Sequence, residues 1–329
     1  CIRDRPNVIV WMLLRILIGF CFSGVYVVAE SWLNDSATNE TRGQTLSLYV
    51  IVQMMGIVAA QGVLNFGDPA GYTLFIISSV LVSVSFAPIL LSISPAPLFQ
   101  TTKPMSFKRL YKVSPTAVVG IFLLGTIFSA LFGMTSVYGT EKGLDVSSIT
   151  ILVAMIYIGG MVCQYPIGWA SDRMDRRLLI IYLTVFGTIV MVGAPLLANN
   201  LYSLMFILFV VGGVSNPLYS LYLAYMNDYL EPDDMAAASG GLIFISGLGA
   251  IGGPFVVGWM MTNFGANSFF IFLAVILGLS ASWTIFRSTV REAPDVADTG
   301  AYAHISPGTS VVAVELAAEV AIDMAEEEA

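Results

Sequence analysis

Few residues in this chain could do ionic chemistry, and five of them gather in one short stretch. Gly168-Trp-Ala-Ser-Asp172-Arg173-Met-Asp-Arg176-Arg177 lies between two apolar runs, 148–170 and 178–198. Gly168, Asp172 and Arg176 recur every four residues, so one helical face would carry a close-approach glycine, then a carboxylate, then a guanidinium. Such a face could dock on a second helix while its charges pair across the seam. The competing reading is a snorkelling loop with no further role. Either way, clustered Lys/Arg in a short loop between spans marks the cytoplasmic side.

Two more charges stand apart. Arg15 lies well inside an apolar run, where an arginine costs roughly 2.5–3.5 kcal/mol on insertion scales. A carboxylate, backbone carbonyls or a wet cavity would have to compensate it, unless it snorkels to the outer interface. Glu30 closes the same run and could pair with Arg42 or with the Arg173/Arg176 cluster as a latch. A solvated interfacial acid beside an interfacial Trp32 is the alternative. Glu30 would sit at a carboxyl-terminal helix end, where the dipole disfavours an unpaired anion.

Uncharged polar groups could line a path. Asn216, Tyr219, Ser220 and Tyr222 share one apolar run, with Asn216-Pro217 expected to distort it. Tyr26, Tyr157, Gln164 and Tyr165 are further candidates, each weighed against ordinary packing between helices. Gly249-Ala-Ile-Gly-Gly253-Pro254, followed by Gly258, makes a small-residue face suited to close packing with a bend.

The elements that must hold these residues follow from composition. The 329 residues are 57% hydrophobic and only 11% charged, with a mean hydropathy of +0.83. The apolar residues come in blocks of about twenty, the length that crosses about 30 Å of hydrocarbon. This is a polytopic helical membrane protein. Nine spans are expected, at 8–29, 44–65, 72–93, 116–138, 148–170, 178–198, 201–226, 236–262 and 267–286. Residues 94–115, with Pro95, Pro97, Pro104 and four cations, read as a linker. From Arg287 onward nine acids face two arginines, which supplies most of the net charge of −8. That acidic tail is expected to lack fixed structure and argues against binding to anionic lipid.

Several function classes are excluded. There is no basic field for nucleic acid. Cys1, Cys21 and Cys163 show no paired spacing, and the single histidine, His304, lies in the tail, so neither a disulfide framework nor a metal site is indicated. No phosphate-binding Gly-x4-Gly-Lys-Ser/Thr loop occurs, which argues against an ATP-driven pump. The start of the chain does not read as a signal peptide, because its first apolar run is followed by more spans.

An internal repeat is visible. A shift of 193 residues sets Gly19 on Gly212, Tyr26 on Tyr219, Asn34 on Asn227, Asp35 on Asp228 and Gly56 on Gly249. On that register the spans 116–138, 148–170 and 178–198 have no counterparts, so about 80 further residues carrying three helices are expected before residue 1. With Arg173 inside, ten Lys/Arg fall on the cytoplasmic side, against Arg3, Arg5 and Lys142 opposite.

These residues also carry a resemblance. Gly168, Asp172, Arg173, Arg176 and Arg177 form G-x-x-x-D-R-x-x-R-R, which resembles the loop after the second helix of each half of the major facilitator superfamily. Asp175 stands where that family often has glycine. Arg15-Ile-Leu-Ile-Gly19 resembles its fourth-helix R-x-x-x-G signature, with Ile18 in the usual glutamine position. Gly249 to Pro254 resembles the antiporter signature, displaced to the eleventh helix. The fifth-helix counterpart, Gly56-Ile-Val-Ala-Ala60-Gln61, lacks the proline and so departs from the drug-antiporter pattern.

The resemblance implies an all-α fold of two six-helix halves, with nine of twelve transmembrane helices present. Residues 1–93 would hold helices 4–6, 94–115 a cytoplasmic linker, 116–286 helices 7–12, and 287–329 a cytoplasmic tail. The protein would be a secondary active transporter, not an enzyme, moving a small solute past a midplane site by alternating access. Protons are the candidate coupling ion, because the family associates the residue matching Arg15 with proton coupling. A monomer without cofactor, integral to a plasma (bacterial inner) membrane, is expected. Clustered catalytic residues at one depth, which a membrane enzyme would need, are not seen. The remaining alternative is a transporter fold kept as a sensor or receptor.

Overall fold

In hydrocarbon every backbone N–H and C=O must find a partner within the protein, so long apolar runs fold as helices. The computed structural model describes residues 7–36, 42–68, 71–88, 105–198, 200–230 and 232–291, and no strand occurs among them. The first region holds α1 (Val8–Ser36), α2 (Arg42–Val63) with a 3-10 turn at Leu64–Phe66, and α3 (Thr73–Ser85). A short α4 (Phe107–Val113) leads into six long helices. These are α5 (Pro115–Glu141), α6 (Val146–Ser171), α7 (Arg176–Leu197), α8 (Leu201–Asn227), α9 (Pro232–Phe264) and α10 (Ser268–Ser288).

Among the described residues, seven helices are long and apolar enough to cross a membrane: α1 and α5 to α10. α2 and α3 correspond to the other two expected spans, and their described apolar stretches are Ile51–Phe66 and Thr73–Ser85. The expected end of the third span, 89–93, and the tail beyond Arg291 lie outside the described residues. Two local expectations change. α1 continues to Ser36, so Glu30 lies inside the helix and does not close it. Part of the expected linker is helical, as α4. Pro217 and Pro254 lie inside α8 and α9, which continue on both sides of them.

Helix boundaries follow local chemistry. Ser106 and Ser114 cap α4 and α5 by accepting from the backbone N–H of Arg109 and Ala117, and Pro115 occupies the first turn of α5, where its missing N–H costs nothing. Asn200 caps α8 through the N–H of Ser203 at 2.9 Å. Gly143 and Gly265, just past α5 and α9, take positive φ (72° and 83°), which ends a helix without a Cβ clash.

The core lies in the α5–α10 unit, whose short turns set successive helices antiparallel. Its two most extensive seams, α5–α9 and α6–α8, are built on small residues. A Cβ at Gly125 would fall on the Ser246 carbonyl, and one at Gly249 on the Phe122 carbonyl. Along the same seam Thr126 donates to the Gly249 carbonyl at 2.9 Å. In the second seam a Cβ at Gly159 would strike the Phe209 carbonyl, and one at Gly212 the Ile156 carbonyl. Backbones at this distance gain van der Waals contact that lipid cannot replace. At one end Tyr138, Phe269 and Phe270 pack ring on ring, with centroids 5.0–5.4 Å apart. α2 joins the unit by packing on α6, whereas α3 buries no residue.

Candidate functional site

Two constellations stand out: a cavity between the first region and the six-helix unit, and a charge cluster at one end of that unit. The cavity has a volume of about 470 Å³, within the usual range for small-molecule sites. Tyr26 of α1 and Gln53, Met54 and Ile57 of α2 form one wall. Phe128 and Phe132 of α5, Tyr157 of α6, and Asn216 and Tyr219 of α8 form the facing wall, and Ser246 and Ala250 of α9 complete it. Phe132 stacks on Phe128 at 5.7 Å and on Tyr157 at 4.7 Å, each pair inclined by 18°. Asn216 is fixed through its Nδ2, which donates to the Gly212 carbonyl at 2.9 Å.

Tyr26, Tyr157, Asn216 and Tyr219, scattered over three helices, therefore meet at one cavity. Tyr26 and Tyr219 are also partners in the 193-residue repeat. Other polar candidates lie elsewhere. Gln164 and Ser220 face each other at 3.5 Å between α6 and α8, Tyr222 shares a 2.6 Å hydrogen bond with Ser280 of α10, and Tyr165 is exposed.

The charge cluster joins the ends of three helices. Arg176, at the start of α7, has a side chain only 2% exposed. Its Nη1 pairs at 2.5 Å with Asp228, the residue after α8, which is equally buried. Its Nε donates to Ser171 at 3.1 Å, and its Nη2 lies 3.6 Å from Asp172 at the end of α6. Asp175 caps α7 through the N–H of Arg177 at 2.8 Å, a role that glycine could not fill. Arg177 donates to the Arg291 carbonyl at 2.5 Å, and Arg291 in turn covers the Tyr229 ring at 3.9 Å. Burial raises the Tyr229 phenol above its ordinary pKa, with the Tyr225 hydroxyl adding to the shift. Arg173 is exposed and lies over Trp169 at 4.5 Å, and Gly168 is buried within α6.

The residues singled out in α1 stand away from that cluster. Arg15 is exposed and leans on Trp11, 5.3 Å from its ring. Gly19 is exposed, and a Cβ there would meet nothing within 4 Å. Glu30 is 1% exposed and accepts a 2.5 Å hydrogen bond from Tyr49 of α2. Tyr26 and Gln53 lie one helical turn from Glu30 and Tyr49 respectively, so this pair adjoins the cavity wall. Gly249 and Gly253 face α5, while Pro254 is half-buried beside them. The side chains of Asp35 and Arg42 lie outside the described residues.

Sequence reasoning passed over Gln53, Tyr49, Phe128 and Phe132, and did not connect Asp228 with Arg176. A signal existed for some. Gln53 is a lone carboxamide in an apolar run, and Asp175 before Arg-Arg and an apolar stretch has the pattern of a helix cap.

Comparison with known proteins fits this architecture. The sequence model described as Major Facilitator Superfamily matches residues 117–318, which include nearly all of the six-helix unit. The chain belongs to the major facilitator superfamily. Among similar proteins, YfkF of Bacillus subtilis (strain 168), described as an uncharacterized MFS-type transporter, is 26% identical over 295 residues, covering 84% of this chain and 75% of that protein. An uncharacterized MFS-type transporter of Yersinia pestis (strain Pestoides F) is 26% identical over 266 residues, 80% of this chain and 69% of its own length. YcaD of Salmonella heidelberg (strain SL476), also described as an uncharacterized MFS-type transporter, is 25% identical over 273 residues, 81% of this chain and 69% of that one.

Proposed function

We propose that this superfamily member is a secondary active transporter that moves a small solute by alternating access through the cavity. The observation that carries this reading is the shared lining. Tyr26 and Gln53 come from the first region, whereas Tyr157, Asn216 and Tyr219 come from the six-helix unit. A solute held there touches both bodies, so its binding energy can bias their relative position. The Arg176–Asp228–Asp172 cluster ties α6, α7 and α8 together, which suits a unit that moves as one piece. With its cations inside, that end faces the cytoplasm of a plasma membrane, and the chain leaves α10 on the same side. Glu30, held by Tyr49 beside the cavity, and Arg15 are the charged residues of α1 that we assign to proton coupling. No cofactor is needed, and the protein acts as a monomer.

The test uses accessibility. Cys1, Cys21 and Cys163 are replaced, Ser246→Cys is introduced at the cavity wall, and the protein is reconstituted in one orientation. A membrane-impermeant maleimide should label position 246 from either side of the membrane. Labelling from one side only, under every solute and pH gradient applied, overturns alternating access through this cavity.

A further inference from the structure

We infer that the cavity takes an uncharged, ring-bearing solute that donates a hydrogen bond from its polar part. The inference rests on the reading of the cavity as the solute site and narrows it to a chemical class. Three features of the wall carry it.

The first is charge. Among the described residues the lining contains tyrosines, phenylalanines, carboxamides, serines and aliphatic groups, and no Asp, Glu, Lys, Arg or His. A net charge taken out of water against this wall would call for a counter-charge, and the described lining supplies none.

The second is the orientation of the rings. Phe132 is stacked against both Phe128 and Tyr157, so neighbouring rings take up face area in this ladder. Phe132, stacked on two rings, meets a ligand chiefly with its edge, which is the positive pole of the aromatic quadrupole. An edge receives the π-face of another ring and repels a cation, whereas a cation-binding cage needs open faces.

The third is an unpaired acceptor. Gln53 Oε1 is buried at the cavity wall and has no hydrogen-bond partner among the described residues. Asn216, the other carboxamide, has its Nδ2 engaged by the Gly212 carbonyl. A buried carbonyl oxygen without a donor is unfavourable, and a ligand N–H or O–H directed at it removes that cost.

Four tricyclic probes of nearly equal size separate these terms. Acridone is neutral with an N–H donor, N-methylacridone is neutral without one, N-methylacridinium is a cation and acridine carboxylate is an anion. Each is titrated by fluorescence against the protein in lipid nanodiscs, with empty nanodiscs subtracted. Acridone should bind more than about tenfold more tightly than either charged probe. It should exceed N-methylacridone by about fivefold, the worth of one net hydrogen bond. Gln53→Met should equalise the two neutral probes while N-methylacridone keeps its affinity, which also shows that the variant is folded. Tyr157→Leu should weaken both. If a charged probe binds as tightly as acridone and is lost in Tyr157→Leu, the solute class is wrong and the cavity stands as the site. If Gln53→Met leaves the acridone preference intact, the donor assignment is wrong. If no probe binds above empty nanodiscs, or neither substitution affects binding, both the class and the site fall.

Discussion

Glycine and arginine occur in both regions of this molecule, yet they meet opposite surroundings. In the α5–α10 unit, Gly125, Gly159, Gly212 and Gly249 each sit where a methyl group would collide with the backbone of a facing helix. In α1 and α2, Gly19, Gly24, Gly56 and Gly62 have nothing within 4 Å of a Cβ position. Arg176 is buried against Asp228, whereas Arg15 is exposed and leans on a tryptophan of its own helix. In a membrane helix the residue type is therefore not the role. The facing element supplies it, because small residues gain only where another backbone approaches and a buried charge is stable only where a partner is fixed.

The largest test of this contrast is ionic. Arg176→Leu removes the guanidinium that faces Asp228 in a site only 2% exposed, and breaking one side of a buried pair costs about 3–5 kcal/mol. Replacing both members, Arg176→Leu with Asp228→Leu, should recover much of that loss. Arg15→Leu removes no buried partner and takes a charge out of an apolar span, so it should not destabilise the protein. Thermal unfolding of the purified variants in one detergent reads all three. Equal losses from Arg176→Leu and Arg15→Leu would break the contrast.

The next effect is steric. At Gly249 the obstacle is the Phe122 carbonyl, a backbone atom that cannot rotate away, so Gly249→Ala should cost toward the upper end of overpacking, about 3 kcal/mol. Gly19→Ala adds a methyl group to open space in a helix interior, where alanine is favoured over glycine by roughly 0.5–1 kcal/mol. The two substitutions should therefore shift Tm in opposite directions.

Much of this architecture can be read from the chain. Apolar run lengths mark the membrane helices, and the four-residue spacing already places Gly168, Asp172 and Arg176 on one face. The repeat pairs Tyr26 with Tyr219, whose rings reach the same cavity. The partner of Arg176 could not be read, because Asp228 lies 52 residues away and many tilts of α8 would leave it free. Phe128 and Phe132 were equally hidden. A helix that is apolar on all sides does not announce which face points inward, since lipid and protein interior select the same side chains. Only local polarity breaks that symmetry, and Gln53 is the position where it should have been noticed.

A smaller effect tests whether α1 and α2 also contain a fixed contact. Tyr49 donates to the buried Glu30 at 2.5 Å, and a hydrogen bond to a charged group contributes about 1.5–3 kcal/mol. Tyr49 is only half-buried, so Tyr49→Phe should fall near the lower figure, about 1.5 kcal/mol. No change would mean that this pair adds nothing to α1–α2 packing, and the contrast between the two regions would sharpen.

The smallest effect lies in the turn between α5 and α6, where the well-packed unit meets water. Asp145 is fully exposed and its carboxylate accepts from the Ser148 hydroxyl at 2.5 Å, which holds its pKa below the ordinary value. A depressed carboxylate pKa contributes stability that is fully present above the unfolded-state pKa and lost as pH falls through the folded one. Ser148→Ala should therefore lower Tm slightly at neutral pH, and the difference from the parent should shrink as pH falls below about 4 and vanish below the lowered folded-state pKa. A difference that persists in acid would assign the hydroxyl a role apart from the carboxylate. A difference as large as that of Gly249→Ala would mean that the six-helix unit depends on its exposed turns as much as on its glycine seams.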